Sequence, residues 1–266
     1  MSTYNRIDLL FREKEKNILS VYFTAGYPGP NDTVPLIREL GKNGVELIEI
    51  GMPFSDPVAD GPVIQQSSHA ALQNGMSVKK LFEQLRDIRR EVRIPLILMG
   101  YLNPVLQFGM ENFCRKCAET GIDGIILPDL PMEVYREAYR ELFDRYSLHN
   151  ILLITPETSP QRLQEIDRTT GGFIYMVSSS STTGAKDKVS DYRQDYFERI
   201  GSANLNHPRL IGFGISNRET FNHACRYARG AIIGSAFVRA LEGEGSLEEK
   251  VGRFVKNIRQ APVKFC

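Results

Sequence analysis

Residues 47 to 65 read Leu-Ile-Glu-Ile-Gly-Met-Pro-Phe-Ser-Asp-Pro-Val-Ala-Asp-Gly-Pro-Val-Ile-Gln. An apolar run that ends in glycine and then in a proline-rich loop is the signature of a buried strand feeding a βα turn. Glu49 stands inside that strand between Ile48 and Ile50, and an ionised carboxylate taken out of water must be paired or must shift its pKa. Alternation puts Val45, Leu47 and Glu49 on one face and Glu46, Ile48 and Ile50 on the other. Glu46, near the start of the strand, can reach solvent, whereas Glu49 lies at the C-terminal end. A structural salt bridge and a catalytic carboxylate are both open readings of Glu49. The loop after it carries Asp56 and Asp60 between Pro53, Pro57 and Pro62, which restrict φ, with Gly61 relaxing it. Turn capping explains either aspartate alone. A stiff loop holding a carboxylate near a strand-end carboxylate suits two groups that divide acid and base roles.

The same strand-then-helix rhythm repeats in both directions. Strands are expected near Leu19 to Thr24, Val45 to Gly51, Pro95 to Gly100, Gly124 to Pro128, Ile151 to Thr155, Phe173 to Val177, Leu210 to Phe213 and Ala231 to Gly234. Helical periodicity fills the intervals, as in Ser77 to Glu91, Met132 to Tyr146 and Ser159 to Arg168. Extra helices are expected at Tyr4 to Phe11, lidding the bottom of the fold, and at Ser246 to Ile258. Eight βα repeats in 266 residues, with no linker dividing them, predict an α/β fold: a single (β/α)8 TIM barrel domain over 1–266 with an extra N-terminal helix. An open doubly wound sheet is the alternative. In a barrel the active site sits at the C-terminal ends of the strands, so the residues just after each strand are the functional candidates.

Composition narrows the partners. A formal charge of +1 offers no basic field for nucleic acid or an anionic membrane. No apolar run approaches the roughly 20 residues of a membrane helix, and the N-terminus has no apolar core of a secretory signal. Four cysteines do not make a disulfide framework, so a cytoplasmic location is expected. Cys114 and Cys117 match a redox or metal spacing but fall within a helical pattern with no second ligand pair, and the four histidines form no metal set.

Gly212-Phe213-Gly214 after the seventh strand and Gly234-Ser235 after the eighth stand where this barrel type grips phosphate with backbone amides. Tight βα turns are the structural alternative. Ser178 to Ala185, rich in serine and threonine, reads either as a mobile lid over the sixth strand or as an ordinary surface loop.

Taken together these motifs strongly resemble the tryptophan synthase alpha chain family. The carrying residues are Leu47 to Gly51 running into Pro53 to Gln65, supported by Gly100-Tyr101-Leu102-Asn103-Pro104, Gly121 to Gly124 with Pro128 to Pro131, Thr182-Thr183-Gly184, Gly212 to Ser216 and Gly234-Ser235-Ala236. The resemblance implies a (β/α)8 barrel that cleaves indole-3-glycerol phosphate to indole and glyceraldehyde 3-phosphate, a retro-aldol reaction with no cofactor of its own. It implies Glu49 as acid and base, and Asp60 as the carboxylate that holds the indole N–H. Phe23, Tyr101, Leu127, Tyr175 and Phe213 would wall the indole. Thr183 would meet Asp60 on closure, and Gly184, Gly214, Gly234 and Ser235 would bind phosphate. An α2β2 complex with a pyridoxal phosphate beta chain is implied, with Asp56 facing that partner. A stand-alone indole-releasing lyase, or a subunit that only activates its partner, would share much of this sequence. One departure is visible: Ser178 to Ser181 occupy the place where family members commonly carry an arginine before a glycine-containing stretch.

Overall fold

The computed structural model describes residues 5–177, 188–212 and 214–260. The expected lid, with Thr183 and Gly184, and Phe213 lie outside the described residues. The elements run α1 (Arg6–Glu13), β1 (Ile18–Thr24), α2 (Thr33–Lys42), β2 (Leu47–Gly51), α3 (Pro62–Gln73), α4 (Val78–Leu85), β3 (Leu96–Met99), α5 (Leu102–Phe108), α6 (Met110–Thr120) and β4 (Gly124–Ile126). They continue with α7 (Met132–Val134), α8 (Arg140–Arg145), β5 (His149–Asn150), β6 (Leu153–Ile154), α9 (Pro160–Thr169), β7 (Ile174–Val177), α10 (Lys188–Ser202), β8 (Arg209–Gly212), α11 (Arg218–Ala224), β9 (Gly230–Ile233), α12 (Ser235–Ala240) and α13 (Leu247–Arg259).

Nine strands pair in the order β5-β4-β3-β2-β1-β9-β8-β7-β6, every pair parallel. The two ends of that order are pieces of one run, the single strand that the sequence places near Ile151 to Thr155. Only Ile151 and Leu152 separate them. The Ile151 amide donates to the Ile125 carbonyl at 3.0 Å, and the Tyr175 amide donates to the Leu152 carbonyl at 3.0 Å. The first half of the run therefore bonds β4 and the second half bonds β7, the stagger that closing a barrel demands. The ring closes on eight positions, which excludes the open sheet.

Strand alternation divides the apolar side chains into two layers. Ile18, Leu47, Ile97, Ile126, Phe173 and Ile232 fill the barrel interior. Val21, Phe23, Ile48, Ile50, Leu98 and Leu127 pack outward against helix residues such as Leu36, Leu40 and Phe113. Val45 joins this outer layer because β2 begins only at Leu47.

At the bottom α1 acts as a plug. Its Ile7 is fully buried among the interior side chains, and Asn5 caps the helix by accepting from the Ile7 amide at 2.9 Å. Arg6 and Arg89 grip opposite oxygens of the buried Asp123, at 2.8 and 2.6 Å. Glu46, expected to reach solvent, instead pairs with Lys14 and Arg259 and accepts from the Leu19 amide at 2.8 Å. Two expected helices differ in detail. The run from Ser77 breaks after Leu85 and ends in one 3-10 turn, Ile88–Arg90, which turns Arg89 towards the Gly121 and Ile94 carbonyls. The run from Met132 carries a π turn at Tyr135–Tyr139.

Candidate active site

The C-terminal ends of the strands surround a cavity of about 770 Å³, well within the range of small-molecule sites. Glu49 lies in β2 with 0% exposure. Its Oε1 accepts a hydrogen bond from the Ser20 hydroxyl of β1 at 2.9 Å. Its Oε2 has no partner among the described residues. Burial pushes the carboxyl up to about 8, against the opposing pull of the Ser20 hydrogen bond. A group with that affinity exchanges its proton readily near neutrality.

Asp60 is positioned from two directions. Tyr101, which follows β3 and caps α5, donates its hydroxyl to Asp60 Oδ2 at 3.0 Å and accepts from the Ala59 amide at 3.1 Å. Gln65 of α3 reaches back to the Asp60 carbonyl at 2.9 Å. Phe54 stacks on the Tyr101 ring with centroids 4.9 Å apart, so both ends of the proline loop lean on one side chain. Asp129 holds Tyr101 in place by accepting from the next amide, that of Leu102, at 2.9 and 3.0 Å. Burial raises the Asp60 carboxyl, and the Tyr101 hydroxyl partly offsets the rise.

Tyr22 and Tyr175 stand over these carboxyl groups and line the cavity. Burial pushes both phenols upward, with Asp60 adding to the rise at Tyr22 and Glu49 at Tyr175. They stay neutral wherever the carboxyls titrate. Across the cavity Gly214, at φ 71, and Gly234 with Ser235 form the rim above β8 and β9. The Phe237 amide is bonded back to the Gly234 carbonyl at 2.8 Å, so the amides of the turn before it point out of α12 at its N-terminal end.

The sequence-derived set is thus partly regrouped. Asp60, Tyr101, Tyr175, Gly214, Gly234 and Ser235 line the cavity, whereas Glu49 is not among its lining residues and lies buried in β2 next to Tyr22 and Tyr175, which are. Phe23 and Leu127 face the helix layer, and the cavity is walled instead by Tyr22 and, nearby, Leu153 and Ile232. Parity held the missing signal. In β1 the polar series Ser20, Tyr22, Thr24 alternates with Leu19, Val21, Phe23, and Ser20 shares the Glu49 face. Arg239 of α12 also lines the cavity and had no sequence signal beyond its place after the last strand. Asp56 is exposed on the loop beside Val58, which is 87% exposed. Cys114 and Cys117 are buried on α6, and burial pushes the Cys114 thiol up to about 12 and that of Cys117 upward as well. Among the described residues no group of three or more potential ligands is placed to hold a metal.

The chain resembles known proteins over nearly its whole length. The tryptophan synthase alpha chain family model matches residues 10–263. A tryptophan synthase alpha chain of Flavobacterium johnsoniae is 57% identical over 255 residues, 96% of this chain and 100% of that one. One from Bacteroides thetaiotaomicron is 57% identical, over 93% and 96% of the two chains. Among solved structures, the alpha subunit of Legionella pneumophila superposes with a TM-score of 0.85 at 33% identity, covering 97% of this chain and 98% of that one. A tryptophan synthase from M. tuberculosis in an aminoacrylate-bound form superposes with a TM-score of 0.81 at 29% identity, over 96% and 100%. With the family model matching over residues 10–263 and relatives at 57% identity over nearly the whole length of a closed barrel, the chain belongs to the tryptophan synthase alpha chain family.

Proposed function

We propose that the chain, as one barrel domain, cleaves indole-3-glycerol phosphate to indole and glyceraldehyde 3-phosphate, using Glu49 and Asp60. The carrying observation is a fully buried carboxyl in β2, pushed by burial up to about 8, next to Tyr22 and Tyr175 of the cavity wall, with a second carboxyl held by Tyr101 in that cavity.

Cleavage of the bond between indole C3 and the hydroxyl-bearing carbon needs a proton at C3, because the ring is a poor leaving group until that carbon is protonated. Glu49 supplies this proton and takes one from the hydroxyl. The O–H electrons become the new carbonyl bond, and the electrons of the broken carbon-carbon bond return to the ring. Protonation at C3 places positive charge on the ring nitrogen, which Asp60 stabilises through the indole N–H. That charge develops in a site with restricted water, where a fixed carboxylate is worth most. Gly214, Gly234 and Ser235 hold the phosphate, while the parts that the family resemblance implies for Thr183, Gly184 and Phe213 fall outside the described residues.

The chemistry asks for no cofactor in this chain. Pyridoxal phosphate belongs to a beta chain, which receives the indole in an α2β2 assembly and docks against the exposed loop around Asp56. A cytoplasmic location is part of the same proposal. Glu49→Gln and Asp60→Asn are each expected to keep the fold and to slow indole release by roughly 10² to 10⁴. Assay of the isolated chain with spectroscopic detection of indole is the check. Near-normal turnover in either variant removes that residue from the mechanism, and no release from the unaltered chain leaves it as an activating subunit only.

A further inference from the structure

The strand register of the barrel places a hydroxyl beneath the proposed acid and base. β1 and β2 run parallel with Tyr22 opposite Glu49 and Ser20 opposite Leu47. Ser20 therefore sits one inward-facing step deeper in the barrel than the carboxyl it touches. Ser20 is fully buried, its hydroxyl reaches Glu49 Oε1 at 2.9 Å, and Oε2 has no partner among the described residues. The carboxyl is therefore held asymmetrically, one oxygen tied down towards the apolar interior and the other unattached.

We propose that Ser20 is a positioning residue for the cleavage reaction: its hydroxyl holds one oxygen of Glu49 and leaves the other to exchange the proton with substrate. The proposal rests on the reading of Glu49 as the acid and base. A serine hydroxyl that donates to a carboxylate favours the ionised form, and in a buried site no water takes its place. Ser20 thus opposes the desolvation that raises Glu49. The titratable groups near the carboxyl are the phenols of Tyr22 on β1 and Tyr175 on β7, with Asp60 from the loop above acting on the same two phenols. Both phenols are pushed upward by burial and remain neutral while Glu49 titrates. The neighbouring strand β3 presents Ile97 and Met99 at this level, which carry no charge. Among the described residues, Ser20 is the hydrogen-bond donor to the Glu49 side chain.

The test is a ¹³C NMR titration of the glutamate carboxyl carbons in the full chain, with the Glu49 signal assigned by its loss in Glu49→Gln. Alongside it runs the pH profile of kcat/KM for indole release, which reports the free enzyme's groups. Ser20→Ala is expected to move the Glu49 inflection to higher pH by about one unit, the scale of one hydrogen bond to a charged group. The same inflection is expected to move in the kinetic profile, whichever protonation state leads the reaction. Ser20→Thr keeps a hydroxyl and Ser20→Val replaces it with a methyl of similar size, so Thr titrating below Val isolates the hydrogen bond from packing. Unchanged midpoints in Ser20→Ala, or coincident Thr and Val curves, overturn the proposal. A shifted NMR midpoint with an unshifted kinetic inflection also overturns it, because Ser20 would then tune a group the reaction does not use. Absence of indole release from the unaltered chain would instead count against the lyase reading, with the titration still reporting on Ser20.

Discussion

Glu49 costs the folded chain stability for the same reason that it can move a proton. Its carboxyl is raised from 4.5 to about 8 in the folded state, so between those values the native chain binds a proton that the unfolded chain has released. By linkage, stability contributed by this group is present below the unfolded pKa and falls as pH rises towards 8. The loss amounts to a few kcal/mol, from the size of the shift. Glu49→Gln, which cannot ionise, is therefore expected to melt higher than the unaltered chain at pH 8, with the gap closing by about pH 4. Thermal unfolding monitored by circular dichroism across that range checks the sign. A variant that is both less active and more stable separates a catalytic acid from a structural salt bridge, whose removal lowers stability. At this scale the sequence was informative: a lone acid within Leu47 to Gly51 marked itself because nothing adjacent could pair it. The Ser20 contact was not legible, because it joins residues 29 apart and depends on strand register.

Parity and close approach decide what the strands present to the cavity. A Cβ on Gly51 would fall 2.1 Å from the Tyr22 hydroxyl, and one on Gly212 would fall 2.2 Å from that of Tyr175. In each case the tyrosine leans from a neighbouring strand over a glycine that ends the next one, and any side chain there displaces the ring. Gly51→Ala is expected to destabilise by about 1–3 kcal/mol through overpacking and to raise KM by moving Tyr22 into the cavity. Tyr22→Leu, which removes the ring, is expected to restore stability in the double variant but not KM. Denaturant unfolding and steady-state kinetics of the three variants decide it. The positions of these strands and most of the helices could be read from periodicity, because apolar runs and glycine stops are local signals. Which of Tyr22 and Phe23 faces inward could not be read from the aromatic residues alone. The phase is fixed by pairing with β2, and a one-residue slip exchanges the two faces.

Across the whole molecule the two ends of the barrel carry different burdens. The bottom is locked by the Arg6, Asp123 and Arg89 cluster, in which Asp123 also accepts from the Leu96 amide at 2.8 Å. Burial brings the Arg89 guanidinium down to about 10, with Asp123 opposing the fall. Asp123→Ala leaves that cation buried and unpaired, a change that costs about 3–5 kcal/mol. A fall in Tm on the order of 10 °C is expected for a chain of this length. The rate of indole release measured well below the transition is expected to stay near normal, because among the described residues none of the cluster's partners lines the cavity. The closed ring was legible from eight repeats. This lock was not, since Arg6 and Asp123 lie 117 residues apart. The tyrosines around the cavity have one more consequence. The chain contains no tryptophan, so light absorbed by Tyr22, Tyr101 and Tyr175 has no indole acceptor until one enters from solution. Occupancy would then announce itself as quenched phenol emission and sensitised indole fluorescence, which makes the unlabelled protein its own optical sensor for the aromatic product.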